Sequence, residues 1–222
     1  MRKKGAKPKR KIKIKWSSNF AYGVGLLVTD GCLSPDGRHI TFVSKEIEQI
    51  ENFMKAFDIK GIKIGITRSG YNESTAHRVQ FGDVVFYRFL ESIGLTPAKS
   101  KTIGEIDIPK KYLLDFLRGC FDGDGTFYSY WDPRWKSSFM FYSEFISASR
   151  KHISWIQNKL YRAIKIKGHV TNDRKGTTIQ LKYAKKESLR LLRQLYSDKT
   201  GLCLKRKKLK IDNALAIVGE HL

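Results

Sequence analysis

Two stretches of this chain are variations on one theme, and a fold that carries both must place two apolar helices with the same polar ending. The first runs through residues 22–28 into Asp30 and Gly31, and the second through residues 112–121 into Asp124 and Gly125. Asp30 and Asp124 hold the same place, 94 residues apart. Apolar and small residues sustained over about three turns read as a helix buried on most sides. Gly25 and Gly119 fall in mid-helix, where glycine is unfavourable unless two backbones must approach closely. The glycine after each Asp suits a left-handed helix C-cap. Two such helices side by side would bring two carboxylates together at their lower ends, the arrangement that holds divalent metal for phosphodiester chemistry. A lone Asp-Gly after an apolar helix is usually just a cap. Its duplication in a strongly basic chain favours the metal reading.

The basic character is large. Lys and Arg number 43 against 21 Asp and Glu, for a formal charge of +22 over 222 residues. That excess points to a polyanion, most simply nucleic acid. An anionic membrane surface is the competing partner, but no long amphipathic basic helix stands out. No signal peptide or apolar run of membrane-spanning length is found, so a soluble, intracellular protein is expected, with no membrane partner. Cys32, Cys120 and Cys203 are too few and too scattered for a zinc site or a disulfide framework, and read as reduced and mostly buried. The five histidines show no paired metal-ligand spacing.

Taken in order, residues 1–16 contain nine Lys or Arg and read as a disordered basic arm, which either solvates or touches a phosphate backbone. Ser17, Ser18 or Asn19 can cap the first helix. Strands are expected around residues 32–34 and over 39–44, a helix over 46–57, a second hairpin from 62–67 and 78–81, and a helix over 84–93. Residues 98–108 look like a linker, and Pro109 can start the next helix. The order then repeats: strands over 126–131 and 138–147, a helix over 151–164, strands over 169–171 and 178–183, a helix over 188–196, and a short tail helix. Phe42 matches Phe145 and Ile50 matches Ile153, both 103 apart, so the extra nine residues fall in the second half's first hairpin. The chain thus divides into a first αββαββα repeat over 17–97 and a second over 109–213, with a tail over 214–222.

Residues 23–31 and 117–125 match a known nine-residue motif, and the chain resembles the LAGLIDADG homing endonucleases in their single-chain, two-repeat form. The second copy is the closer match: Val28 stands where the motif has its earlier Asp, while Asp122 keeps it. The final Asp is present in both. The resemblance implies an α+β fold with the motif helices at the centre and antiparallel sheets forming a DNA-binding saddle. It implies Mg²⁺ held by Asp30 and Asp124 and by the backbone carbonyls of Thr29 and Gly123. Mn²⁺ should substitute, and Ca²⁺ should support binding without cleavage. A peripheral Lys near each site is also implied, and Lys99 and Lys205 stand in matching places after the last helix of each repeat. Lys45, at the end of the second strand, aligns with Ala148, so the two sites should be chemically unequal.

Strand parity separates two faces of each sheet. His39, Thr41, Arg78 and Gln80 in one half, and Thr178, Gln180 and Lys182 in the other, would face a major groove, whose width admits a two-stranded ribbon. Lys63, Arg134, Lys136 and Arg174 flank these strands, and Tyr128 and Tyr130 offer backbone contacts or stacking. An ordinary solvated sheet face shows the same alternation. The leading expectation is a monomeric, metal-dependent endonuclease acting on a long, non-palindromic stretch of double-stranded DNA without a protein partner. The alternatives are an intron-splicing maturase of the same fold and a non-catalytic nucleic-acid-binding protein in which Asp30 and Asp124 are dispensable caps.

Overall fold

The computed structural model describes residues 11–68, 75–197 and 201–222. The first repeat runs α1 (Ser18–Asp30), β1 (Gly31–Leu33), β2 (His39–Ser44), α2 (Ile47–Ala56), β3 (Gly65–Arg68), β4 (Thr75–Gly82) and α3 (Val84–Ser92). The second runs α4 (Leu113–Gly123), β5 (Thr126–Trp131), β6 (Phe139–Ser147), α5 (Arg150–Ile164), β7 (His169–Asn172), β8 (Ile179–Ala184) and α6 (Lys185–Leu195), with α7 (Lys205–Ile217) after it. Each half folds its strands into an antiparallel four-stranded sheet of the same order, β1-β2-β4-β3 and β5-β6-β8-β7. The α+β class and the duplication are as expected.

Why the motif helices lie at the centre follows from their glycines. Every residue from Phe20 to Val28 of α1 is buried, and α4 buries nearly all of its length. A Cβ placed on Gly25 would sit 2.2 Å from the Phe116 carbonyl oxygen and 2.9 Å from the Gly119 Cα; one placed on Gly119 would sit 2.1 Å from the Tyr22 carbonyl oxygen. The two backbones therefore touch, and no side chain fits between them. Ser17 supplies the N-cap of α1, its hydroxyl accepting from the Phe20 amide at 3.1 Å.

The glycine after each Asp does not form the expected left-handed cap. Gly31 is extended (φ −89°, ψ 154°), and Gly125 is not among the residues of positive φ. Space is what demands glycine there: the chain turns straight into β1 or β5 against the last helical turn. A Cβ would meet the Leu27 or Phe121 carbonyl oxygen at 2.6 Å.

Three further expectations change. Part of the supposed disordered arm is packed, because Ile12 is buried and the amides of Lys11 and Ile12 donate to the Asp83 carboxylate at 2.7 and 2.9 Å; residues 1–10 lie outside the described residues. Asp83 also caps α3, so this one carboxylate ties the arm to the first repeat. The supposed linker is an ordered strap whose Ile103 and Ile106 are buried. The tail boundary at 213 cuts through α7, which buries Ile211, Ala214 and Leu215. Cys32 is exposed, whereas Cys120 is buried and Cys203 half-buried.

Candidate metal centre and nucleic-acid interface

The parallel descent of α1 and α4 delivers Asp30 and Asp124 to one place. The side chain of Thr29 and the carboxylate of Asp30 crowd Gly123 so closely that a Cβ there would lie 2.0 Å from the Thr29 Oγ1 and 2.8 Å from the Asp30 Oδ2. Asp30 is half-buried, and burial, followed by the nearby charge of Asp124, raises its pKa to about 6. Asp124 remains open to solvent on one side, while the protein packed around its other sides raises its pKa. Burial is the first cause in both cases, since removing a carboxyl from water disfavours its charged form.

The two carboxylates make few hydrogen bonds. Asp30 accepts from the Thr29 hydroxyl and the Gln49 amide, each at 3.2 Å. Among the described residues Asp124 accepts no hydrogen bond, and neither carboxylate accepts from a backbone amide.

Two buried lysines flank the pair. Lys99, on the strap, donates to the Gly31 carbonyl oxygen. Ala98 before it takes left-handed backbone (φ 51°), a strain that a functional turn can carry. Lys207, on α7, donates to the carbonyl oxygens of Phe121 (2.5 Å), Asp122 (3.1 Å) and Gly125 (2.6 Å). Gly31 and Gly125 are the matching last residues of the two motifs, so Lys207 is the true counterpart of Lys99. Lys205 is exposed at the start of α7, and its backbone amide donates to Glu48 at 3.3 Å. Burial lowers the pKa of both site lysines, that of Lys207 to about 8. Lys45 is exposed beyond the end of β2 and is not among the groups hydrogen-bonded to Asp30. The bond to Asp30 from α2 comes instead from Gln49, itself held by the Ser44 hydroxyl at 3.0 Å.

α7 reaches the site because the chain before it is pinned to both repeats. Asp122, the extra acid of the second motif, is buried and accepts from the Tyr22 hydroxyl (2.8 Å), the Tyr196 hydroxyl and the Leu204 amide (2.7 Å). Its role is a structural tie, in keeping with the apolar Val28 at the same place in the first motif. The Asn52 amide donates to the Cys203 carbonyl oxygen at 2.8 Å, and Arg206 grips the Glu46 carboxylate. These bonds cross from second repeat to first and set where Lys207 lies.

No protein-family model and no curated protein sequence matches the chain. Solved structures do. The homing endonuclease I-WcaI bound to its DNA recognition sequence superposes with a TM-score of 0.60 at 14% identity, over 90% of this chain and 88% of that one. The homing endonuclease I-DmoI, in a study of its mesophilic variants, gives 0.56 at 12% identity, over 87% and 97%. The N-terminal LAGLIDADG domain of DUF199/WhiA gives 0.54 at 17% identity, over 88% of each chain. The chain has the LAGLIDADG fold. Because an endonuclease and the DUF199/WhiA domain resemble it equally, the likeness establishes architecture, and chemistry must be argued from the site.

The LAGLIDADG sheets place the remaining candidates. In the first sheet Thr41 opposes Gln80, His39 opposes Gly82, and Arg78 opposes Val43, all on the face away from the helices. Arg78 and Gln80 are exposed, as is Lys63 before β3, whereas His39 is engaged by Asp36. Ile40, Phe42, Val79 and Phe81 fill the other face and are buried. In the second sheet Gln180 opposes Ile146 and Lys182 opposes Glu144. This face is less basic than expected. Buried Glu144 sits 3.1 Å from the Lys182 ammonium, without a hydrogen-bonding angle, and partly neutralises it. Tyr128, Tyr130 and Tyr142 stand as three near-parallel rings, 5.3 to 6.5 Å apart. Arg134, Lys136 and Arg174 are exposed in the two hairpin turns, Arg134 paired with Asp132 at 3.4 Å. Thr178, just before β8, is half-buried and lines a cavity of about 400 Å³ beside Asp124.

Proposed function

We propose that this protein is a monomeric, metal-dependent, site-specific endonuclease of double-stranded DNA. The observation that carries the reading is the meeting of Asp30 and Asp124, with raised pKa values, between two buried lysines. A hard divalent cation suits a donor set of two carboxylates and carbonyl oxygens, completed by substrate phosphate. Asp30 and Asp124, with the carbonyls of Thr29 and Gly123, would hold Mg²⁺ or Mn²⁺. When bound, the cation supplies charge neutralisation at the scissile phosphate and lowers the pKa of water. I-DmoI has been solved in complex with DNA and Mn, and with DNA and Ca, in support of the same preference here.

The chain's own residues supply the rest. Lys99 and Lys207 carry positive charge in a partly desolvated setting, where it acts strongly on a developing anion. Gln49 orients the Asp30 carboxylate. The exposed faces of both sheets, with a formal charge of +22 behind them, would hold the duplex along its backbone, and Arg78, Gln80 and Gln180 would reach base edges. Both acids lie in one chain, so one chain suffices for two cuts. The binding-only alternatives predict that both acids are dispensable, which substitution of each by Asn tests.

Selection from a random DNA library in Ca²⁺, followed by Mg²⁺ and mapping of the breaks, tests the proposal. The expected product is a double-strand cut at a site without palindromic symmetry. Within it, Arg78→Ala and Gln180→Ala should relax base preference on opposite sides of the cut, by roughly 1–3 kcal/mol for a bidentate contact. A palindromic consensus read by a stable dimer would defeat the monomer reading. Lysine variants offer a second check. Lys207→Met should slow single-turnover cleavage by about 10²-fold or more, and Lys205→Met should stay near the wild-type rate. Equal effects would mean that Lys207 only holds backbone.

A further inference from the structure

The two halves of the site differ in one respect that the duplication makes visible. Gln49 in α2 corresponds to His152 in α5, 103 residues on, as Phe42 corresponds to Phe145. Gln49 fills the space beside Asp30 by bonding to it. His152 does the opposite. Its ring turns to the strap, where Nδ1 lies 2.7 Å from the Gly104 carbonyl oxygen, and stacks near-parallel on Trp155. A carbonyl oxygen can only accept, so Nδ1 carries the proton and Nε2 is left with its lone pair. The ring lines the cavity of about 400 Å³ that also takes in Asp124, Lys99, Ser147 and Thr178. Ala148 stands here where the first repeat has the longer Lys45, which helps keep the space open. Burial, with the Lys99 charge adding to it and the Gly104 hydrogen bond opposing it, lowers the pKa of His152, which favours the neutral imidazole.

We infer that His152 is the proton acceptor for the water that cuts one DNA strand, the strand attacked from the Asp124 side. This rests on the endonuclease reading. In the step, the water oxygen forms its bond to phosphorus while one water proton passes to Nε2. The bond from phosphorus to the leaving sugar oxygen breaks with its electron pair on that oxygen, which takes a proton from solvent. His152 later returns its proton to solvent. The other strand has no such group, because Gln49 is committed to Asp30 and cannot take a proton. The Gly104 carbonyl, and hence the strap, fixes the ring in the productive tautomer.

Strand-resolved, single-turnover cleavage of the mapped target, each strand labelled separately, tests this. His152→Ala should slow one strand by about 10²-fold and leave the other near its wild-type rate, so that nicked duplex accumulates. His152→Gln, which keeps a neutral polar side chain but no base, should nick in the same way. Both strands slowed together, or neither, would overturn the inference. Wild-type protein that cuts no strand would overturn the endonuclease reading and this inference with it. Nitrogen-resolved NMR of the metal-free wild-type chain gives a reading independent of cleavage: the His152 ring should show the Nδ1–H tautomer, and an Nε2–H tautomer would overturn the assignment.

Discussion

Gly119→Ala should lower the melting temperature, although the same change at an ordinary mid-helix position raises it. Replacing glycine by alanine inside a helix normally contributes about 1 kcal/mol of stability, because alanine has less backbone freedom to lose. At Gly119 the added methyl would sit 2.1 Å from the Tyr22 carbonyl oxygen and 3.0 Å from the Gly25 Cα, all of it backbone. No rotamer change relieves such a contact, and α1 and α4 must separate. Overpacking commonly costs about 1–3 kcal/mol, and a clash with rigid backbone belongs at or beyond the upper end. The net loss of roughly 2 kcal/mol or more corresponds to a fall of about 4–8 °C for a chain of this size. Gly25→Ala should behave alike, and Gly119→Leu should be worse. Thermal melts of the purified variants would check this, and an unchanged or raised melting temperature would mean that the helices do not cross there. Separation of the helices would also pull Asp30 from Asp124, so cleavage should fall further than stability.

Asp30→Asn should do the reverse: gain stability and lose activity. The Asp30 pKa of about 6 lies above its ordinary 3.8, so the folded state holds this proton more tightly than the unfolded state does. The sign follows from linkage: the contribution is present at low pH, weakens as pH rises through the window from about 4 to about 6, and is gone above it. At pH 7 the folded metal-free protein therefore carries an ionised group it disfavours. Removing that charge should return about 1–3 kcal/mol, the span of two pKa steps discounted for partial exposure. Metal-free wild-type protein should accordingly melt higher at pH 5 than at pH 7 relative to Asp30→Asn. Millimolar Mg²⁺ should raise the wild-type melting temperature at pH 7 and leave the variant unmoved. Loss of stability in the variant at every pH would instead identify Asp30 as a structural cap.

Much of the fold was legible because it was written twice. The repeated apolar helix, the alternating strands and the separations of 94 residues at the Asp pair and 103 at the second strand and the helix after it locate both sheets and the helices over them without reference to any relative. Asp30 and Asp124 were legible for the same reason. What the sequence hid depends on distances between segments far apart in the chain. Lys207 was missed in favour of Lys205 because the two lie in a run of basic residues, and only the bonds to Gly31 and Gly125 show which lysine matches Lys99. Gln49 and His152 stand on helices with ordinary amphipathic patterns, and their roles come from where α2 and α5 meet the motif helices. The alignment already held the signal, since they occupy equivalent positions with unlike side chains. The strap over 98–108 read as a linker because its polar residues hide two buried isoleucines. The reason for the glycine after each Asp is likewise spatial: steric contact with the preceding turn, and not a left-handed backbone, excludes a side chain.

Whether two carboxylates in one chain form a cleavage centre is decided by incubating a mapped target duplex with Mg²⁺ and either wild-type protein or an Asp30→Asn/Asp124→Asn double variant, with binding measured in parallel. Both proteins should bind the duplex with similar affinity, and the wild type alone should cut both strands. Equal cutting by the double variant, or binding without cutting by the wild type in Mg²⁺ and in Mn²⁺, would contradict such a centre.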